Sequence, residues 1–294
     1  MSPSSGPPII FDSLRRTARL ERSEKTFAGA DFLHVRAADN AVHSLEALLR
    51  DWPEATDLSA HAGPFAAALA ASSAAARVGR VTTPADRAAR AAPGAAPLGL
   101  PDQSQDLIVS LMSLHWANDL PGALTQIRRA LKPDGLFIGT LLGAGTLKEL
   151  RAVLTEAELE ARGGAQARVS PFADGFDGAA LLQRAGFALP VADVDRLTVR
   201  YPDLFALVRD LRAMGETNVL AGAVRPLTRS ILIRTAELYA ARFGEPDGRL
   251  PATFEIVHLA GWAPHESQQK PLPRGSAKMR LADALGVKEQ TGED

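Results

Sequence analysis

The sequence predicts an α/β fold in which helices cover a parallel sheet, and three observations carry that reading. Leu107, Ile108 and Val109 stand in a row within Gln105–Leu111, as a strand buried on both faces requires. Leu124, Ile127 and Leu131 then fall on one side of a helix over Leu120–Leu131. A second apolar run, Leu136–Leu142, follows directly. A strand, a helix and a strand in that order imply parallel pairing through a helical crossover.

The other elements are read in chain order. Phe11–Lys25 is a charged helix with few apolar positions, and Asp39–Arg50 is a second helix carrying Val42, Leu45, Leu48 and Leu49. Pro53 ends it. Ala55–Leu58 is a short strand, Pro64–Ala71 an alanine-rich helix and Arg77–Thr82 another strand. Thr83–Pro101 has no period and reads as an irregular connection. In Lys132–Gly135, proline fixes one φ and glycine supplies a positive one, which predicts a tight turn. Thr146–Ala161 is a long charged helix whose Thr146 and Glu149 have capping-box spacing. Asp177–Ala185 is a short helix closed by Gly186. Strands over Val191–Arg200 and Pro251–Trp262 enclose helices over Pro202–Met214 and Leu227–Phe243. The division that results is an N-terminal helical segment (1–50), a sheet core (51–145), a helical addition with the last strands (146–269) and a polar tail (270–294) with one apolar stretch at Leu281–Leu285.

Composition narrows the function. The chain has 294 residues, 46% of them hydrophobic, which suits a substantial core. A net charge of -1 argues against a nucleic-acid partner. Without cysteine there is no disulfide, thiolate metal site or cysteine nucleophile. No apolar run reaches the roughly 20 residues of a membrane span. Met1–Pro8 lacks the apolar centre of a secretory signal. Arg15, Arg16, Arg19, Arg22 and Lys25 form a basic stripe on the first helix, read as a solvated face.

Several segments fit together as one pattern. The run Q-D-L-I-V-S-L-M-S-L-H-W (105–116) continues as A-N-D-L-P-G-A-L and then L-K-P-D-G-L-F-I-G-T. This succession resembles class I S-adenosylmethionine (SAM) methyltransferases near the biotin-pathway malonyl-carrier-protein methyltransferases. Further segments are similar to one subfamily: F-D-S-L-R-R (11–16), T-L-K-E-L-R (146–151), S-P-F (170–172), L-L-Q-R-A-G-F (181–187), M-G-E-T-N (214–218) and H-E-S-Q-Q-K-P (265–271). The subfamily is the methyltransferase-like assembly factor of respiratory complex I and its bacterial relatives, and the resemblance covers roughly residues 10 to 280. It implies a Rossmann-like fold with a helical addition in the C-terminal half. It also implies a role in maturing complex I, with modification of a quinone-module subunit described as arginine hydroxylation. The implied compartment is the bacterial cytoplasm, or the mitochondrial matrix in a eukaryote.

The resemblance points to a SAM loop of the form D-x-G-x-G-x-G, whose glycines let the backbone approach the cofactor. Here the segment is Asp57-Leu58-Ser59-Ala60-His61-Ala62-Gly63, so Ser59 and His61 replace two glycines. The strand ending at Thr82-Thr83 is followed by no carboxylate until Asp86, where an acid for the ribose hydroxyls is expected. The Pro/Ala-rich Ala91–Leu100 likewise lacks an acid near the adenine. Asp57, Ser59, His61, Gly63, Leu111 and Met112 are the candidate cofactor contacts, with SAM the candidate cofactor.

His115 with Asp119, and His258, His265 and Glu266 near the end, contain the residue types of a two-His-one-carboxylate iron site. The simpler reading gives Asp119 to the cap of the next helix and predicts no metal. No G-x-S-x-G elbow is present. His115 and Trp116 at a strand end, and His265 and Glu266 in a polar loop, are the candidate contacts to a substrate or a protein client. The sequence names no catalytic residue.

Overall fold

In a computed structural model, residues 9–86, 90, 93, 97–172 and 177–269 are described. The start (1–8), parts of the Pro/Ala-rich segment (87–89, 91–92 and 94–96), residues 173–176 and the tail from 270 lie outside them. The chain forms one compact unit, Met1–Pro264, and a second, His265–Asp294.

The first unit begins with α1 (Ser13–Ser23) and α2 (Phe32–Glu46). Strand β1 (Trp52–Asp57), helix α3 (Gly63–Ala70) and β2 (Val78–Thr82) follow, then β3 (Gln105–Ser110), α4 (Leu120–Ala130) and β4 (Leu131–Leu142). The second half adds α5 (Lys148–Arg162), α6 (Gly178–Arg184), β5 (Ala188–Tyr201), α7 (Leu204–Ala213), α8 (Arg229–Phe243) and β6 (Leu250–Trp262). One six-stranded sheet has the order β2-β1-β3-β4-β6-β5. The first four strands pair in parallel, while β6 lies antiparallel between β4 and β5.

Alternation along the strands splits the core into two layers. Leu107, Val109, Leu136, Ile138 and Leu142 face a cluster built with α2, α3, α5 and α7. Ile108, Phe137 and Leu141 face the opposite cluster, with Leu124 and Ile127 of α4 and Leu182 of α6. The chain winds one way from β1 to β2 and the other way from β3 to β4, so the topological switch lies between β1 and β3. In open α/β sheets ligands bind at that crevice, beyond the carboxyl ends of the strands.

Four local expectations are corrected. Pro53 does not end a helix; α2 stops at Glu46 and Pro53 lies inside β1, where Gly79 makes room for it. A Cβ on Gly79 would stand 2.6 Å from the Pro53 carbonyl oxygen. Lys132–Gly135 is not a turn between elements but an irregularity within β4, and its positive φ (63°) falls on Asp134, not on the glycine. Thr146 and Glu149 form no capping box. The Thr146 hydroxyl donates to the Glu255 carbonyl and accepts from its N–H, and the Glu149 carboxylate accepts from the N–H and hydroxyl of Thr253. Both side chains therefore tie α5 to β6. Last, the basic stripe is not all solvated, because Arg16 is fully buried. Asp119 does cap α4, accepting from the Gly122 N–H at 2.8 Å.

Candidate functional site

The carboxyl ends of β1 and β3 bring four of the expected cofactor residues together. The Leu58 N–H donates to the Val109 carbonyl, which carries the chain past β1 alongside β3. Asp57 Oδ1 then accepts from the Ser59 N–H at 2.8 Å, and the Ser59 hydroxyl accepts from the Leu111 N–H at 2.8 Å. The Ala60 N–H donates to the Ser113 hydroxyl at 2.7 Å. Arg90 closes the other side, donating to the Ser59 carbonyl at 2.8 Å. Met112 has a positive φ (54°) and its N–H donates to the Thr140 hydroxyl at 2.9 Å. Leu111 and Met112 are buried in the α2 layer of the core. Gly63 opens α3, and nothing lies within 4 Å of where its Cβ would be.

Two features of this loop stand out electrostatically. Asp57 Oδ2 is buried with no hydrogen-bond partner among the described residues. Burial pushes the Asp57 carboxyl up to about 6, against the Ser59 hydrogen bonds and the positive Arg90. His61 stacks on Phe27, with ring centroids 3.7 Å apart, and hydrogen-bonds to the Met214 backbone. His34 meets both rings edge-on. Burial pushes His34 down to about 3 and His61 to about 4, so this trio is neutral at pH 7.

His115 and Trp116 form a second cluster, centred on Glu216 of the M-G-E-T-N segment. Helix α7 ends through Gly215, whose φ of 79° lets the chain reverse, and the Glu216 N–H returns to the Leu211 carbonyl. That reversal aims the Glu216 carboxylate into the protein. It accepts from Arg16 Nη2 at 2.8 Å, from His115 Nε2 at 2.9 Å and from Trp116 Nε1 at 3.1 Å. The Leu142 N–H donates to His115 Nδ1, which fixes the tautomer: the proton sits on Nε2 and points at Glu216. Arg16 also donates to the Gly215 carbonyl and lies over the Trp116 ring, 4.8 Å from its centroid. Burial alone would raise the Glu216 carboxyl, but the Arg16 charge and the hydrogen bond from His115 outweigh it and hold it well below the usual carboxylate range. Burial lowers His115 despite Glu216, so the imidazole is neutral.

Beside this cluster a cavity of about 570 Å³ opens over the ends of β4 and β6. Trp116, Glu216, Leu142 and Phe254 line it, together with residues of α1, α5 and α7. Asp57, Ser59, His61, Gly63, Leu111 and Met112 do not. His265 and Glu266 belong to the second unit and are exposed; His265 Nδ1 lies 2.7 Å from the Ser267 hydroxyl. Among the described residues, no three His, Asp or Glu side chains are grouped to hold a metal ion.

Residues 57–139 match the family described as a methyltransferase domain. Over 178 residues the chain is 46% identical to the arginine-hydroxylase NDUFAF5, mitochondrial, of Danio rerio, covering 60% of this chain and 56% of that one. Its counterpart from Homo sapiens is 45% identical over 178 residues, covering 60% and 52%. The malonyl-[acyl-carrier protein] O-methyltransferase of Halorhodospira halophila is 34% identical over 194 residues, covering 66% and 63%. The chain thus spans about half the length of the first of these curated relatives. These similarities and the six-stranded α/β sheet bear out the resemblance read from the motifs and the Rossmann-like methyltransferase fold it implied.

Sequence reasoning did not assign Arg16, Ser113 or Glu216 to the site. An acidic residue directly after a glycine at the end of an apolar helix was the available signal for Glu216.

Proposed function

We propose that this chain is a methyltransferase-fold maturation factor, acting on or chaperoning a protein client with its cofactor loop closed by its own side chains. The client is a quinone-module subunit of respiratory complex I, and the compartment is the bacterial cytoplasm, or the mitochondrial matrix in a eukaryote. The observation that carries the reading is the 46% identity to a protein named an arginine hydroxylase rather than a methyltransferase. The loop geometry supports it. The Leu111 and Ala60 N–H groups, donors suited to the methionine end of SAM, are already taken by Ser59 and Ser113. His61 is held under Phe27. The residues present do not fit SAM, and no chemical step is routed through it. Deleting the gene in its source organism tests the reading. Assembled complex I should be lost and restored by the wild-type chain; unchanged assembly would contradict it.

A second reading, an active SAM-dependent methyltransferase on a small carrier-bound or protein substrate, is favoured by two observations. Asp57 Oδ2 is buried and has no hydrogen-bond partner among the described residues, and Gly63 faces open space. Titration with SAM separates the two readings.

A further inference from the structure

The cavity beside Trp116 has the make-up of a ligand site different from a cofactor loop. Its volume of about 570 Å³ lies within the roughly 300–1,000 Å³ usual for small-molecule sites. Leu33, Leu150, Leu154, Val169, Leu211 and Phe254 give it apolar walls. Its charged lining is four arginines, Arg15, Arg19, Arg168 and Arg212, against one carboxylate, Glu216.

Most of these charges are committed. Arg168 pairs with Glu158, and Arg15 with Asp12 and the Leu220 carbonyl. Glu216 is neutralised by Arg16. Arg19 Nε is buried with no hydrogen-bond partner among the described residues, and the exposed Arg212 guanidinium stands close enough to repel it. Partial burial, then repulsion from Arg22, Arg15 and Arg212, lowers the Arg19 guanidinium. Like charges gathered at a partly desolvated rim oppose folding unless a counter-charge arrives. Among the described lining residues, no carboxylate is left over to receive a cationic group.

We propose that this cavity binds an anionic amphiphile, with an aliphatic chain along the leucine wall and a carboxylate or phosphate head held by Arg19 and Arg212. Guanidinium forks suit either head. An uncharged chain would leave the arginines unrelieved, and a short anion would leave the apolar wall wet. The proposal goes beyond the maturation role and does not depend on it.

The test is calorimetric titration of the full chain, below micelle-forming concentrations, with dodecanoate, dodecyl phosphate, dodecanol and acetate. The expected result is one site per chain for a dodecyl anion, at least tenfold tighter than for dodecanol, and no saturable heat with acetate. The tighter of the two anions identifies the head group. The double variant Arg19→Gln/Arg212→Gln should weaken that binding at least tenfold while melting as the wild type does. Equal affinity for dodecanol, unsaturable uptake of many molecules, or an unchanged affinity in the double variant would overturn the proposal.

Discussion

Asp57 keeps one carboxylate oxygen buried and without a partner among the described residues, and its stability effect follows from its displaced titration. Its folded value is about 6, against about 4 in an unfolded chain. Between those values the native state binds the proton that the unfolded state has lost, so stability falls as pH rises through that window. Asp57→Asn retains an oxygen to accept from Ser59. It should therefore raise stability by about 1–2 kcal/mol at pH 8 and by much less at pH 4, as urea denaturation at the two pH values will read. The buried histidines act in the opposite sense. His34 and His61 titrate at about 3 and about 4 when folded and near 6.5 when unfolded. Their contribution is full above about pH 6.5 and is lost as pH falls through the folded values. Both His34 ring nitrogens are buried without partners among the described residues, so His34→Leu should lower the pH of acid unfolding; an unchanged midpoint would contradict the neutral assignment. Ser59→Ala strands the Leu111 N–H and should cost about 1–3 kcal/mol, a loss measurable as a lowered denaturation midpoint.

At the scale of elements, α1 is held by one buried ion pair. Arg16 enters from α1, Glu216 from the end of α7, and His115 and Trp116 from the segment between β3 and α4. Arg16→Met leaves Glu216 buried without its main counter-charge, which typically costs about 3–5 kcal/mol. Limited trypsin digestion should then cut within α1, after Arg15 or Arg19, faster than in the wild type. The double variant Arg16→Met/Glu216→Gln, which removes the stranded charge but keeps an oxygen to accept from His115 and Trp116, should recover much of the loss. The elements themselves were largely legible, because β3, α4 and β4 carry unbroken apolar runs and a clean helical period. What was not legible depended on distant partners. Thr146 and Glu149 have the spacing of a cap, yet β6 offers them better partners, and spacing cannot reveal a strand about a hundred residues away. Arg16 looked like part of a solvated stripe because its counter-charge lies 200 residues further on. The start of α2 at Phe32 was missed for a related reason, since its first turns pack Leu33 and His34 against a core that only the tertiary fold creates.

At the scale of the whole molecule, one sheet separates two kinds of space. Over β1 and β3 the loop of the methyltransferase-type domain is satisfied from within by Ser59, Ser113 and Arg90. Over β4 and β6 a cationic cavity stands open beside the Arg16–Glu216 pair. The helical second half builds that cavity together with α1, Leu33, Trp116 and Leu142, away from the crevice between β1 and β3. Among the described residues no helix is long and apolar enough to cross a membrane. The candidate cofactor residues could be named from the sequence because the resemblance supplied their pattern. That Ser59 would spend its hydroxyl on Leu111 could not be foreseen, since it depends on the register of β1 against β3. Isothermal titration of the whole chain with SAM and S-adenosylhomocysteine tests whether the loop is closed. A closed loop gives no saturable heat and no thermal shift at millimolar ligand, whereas micromolar binding of either would show it open.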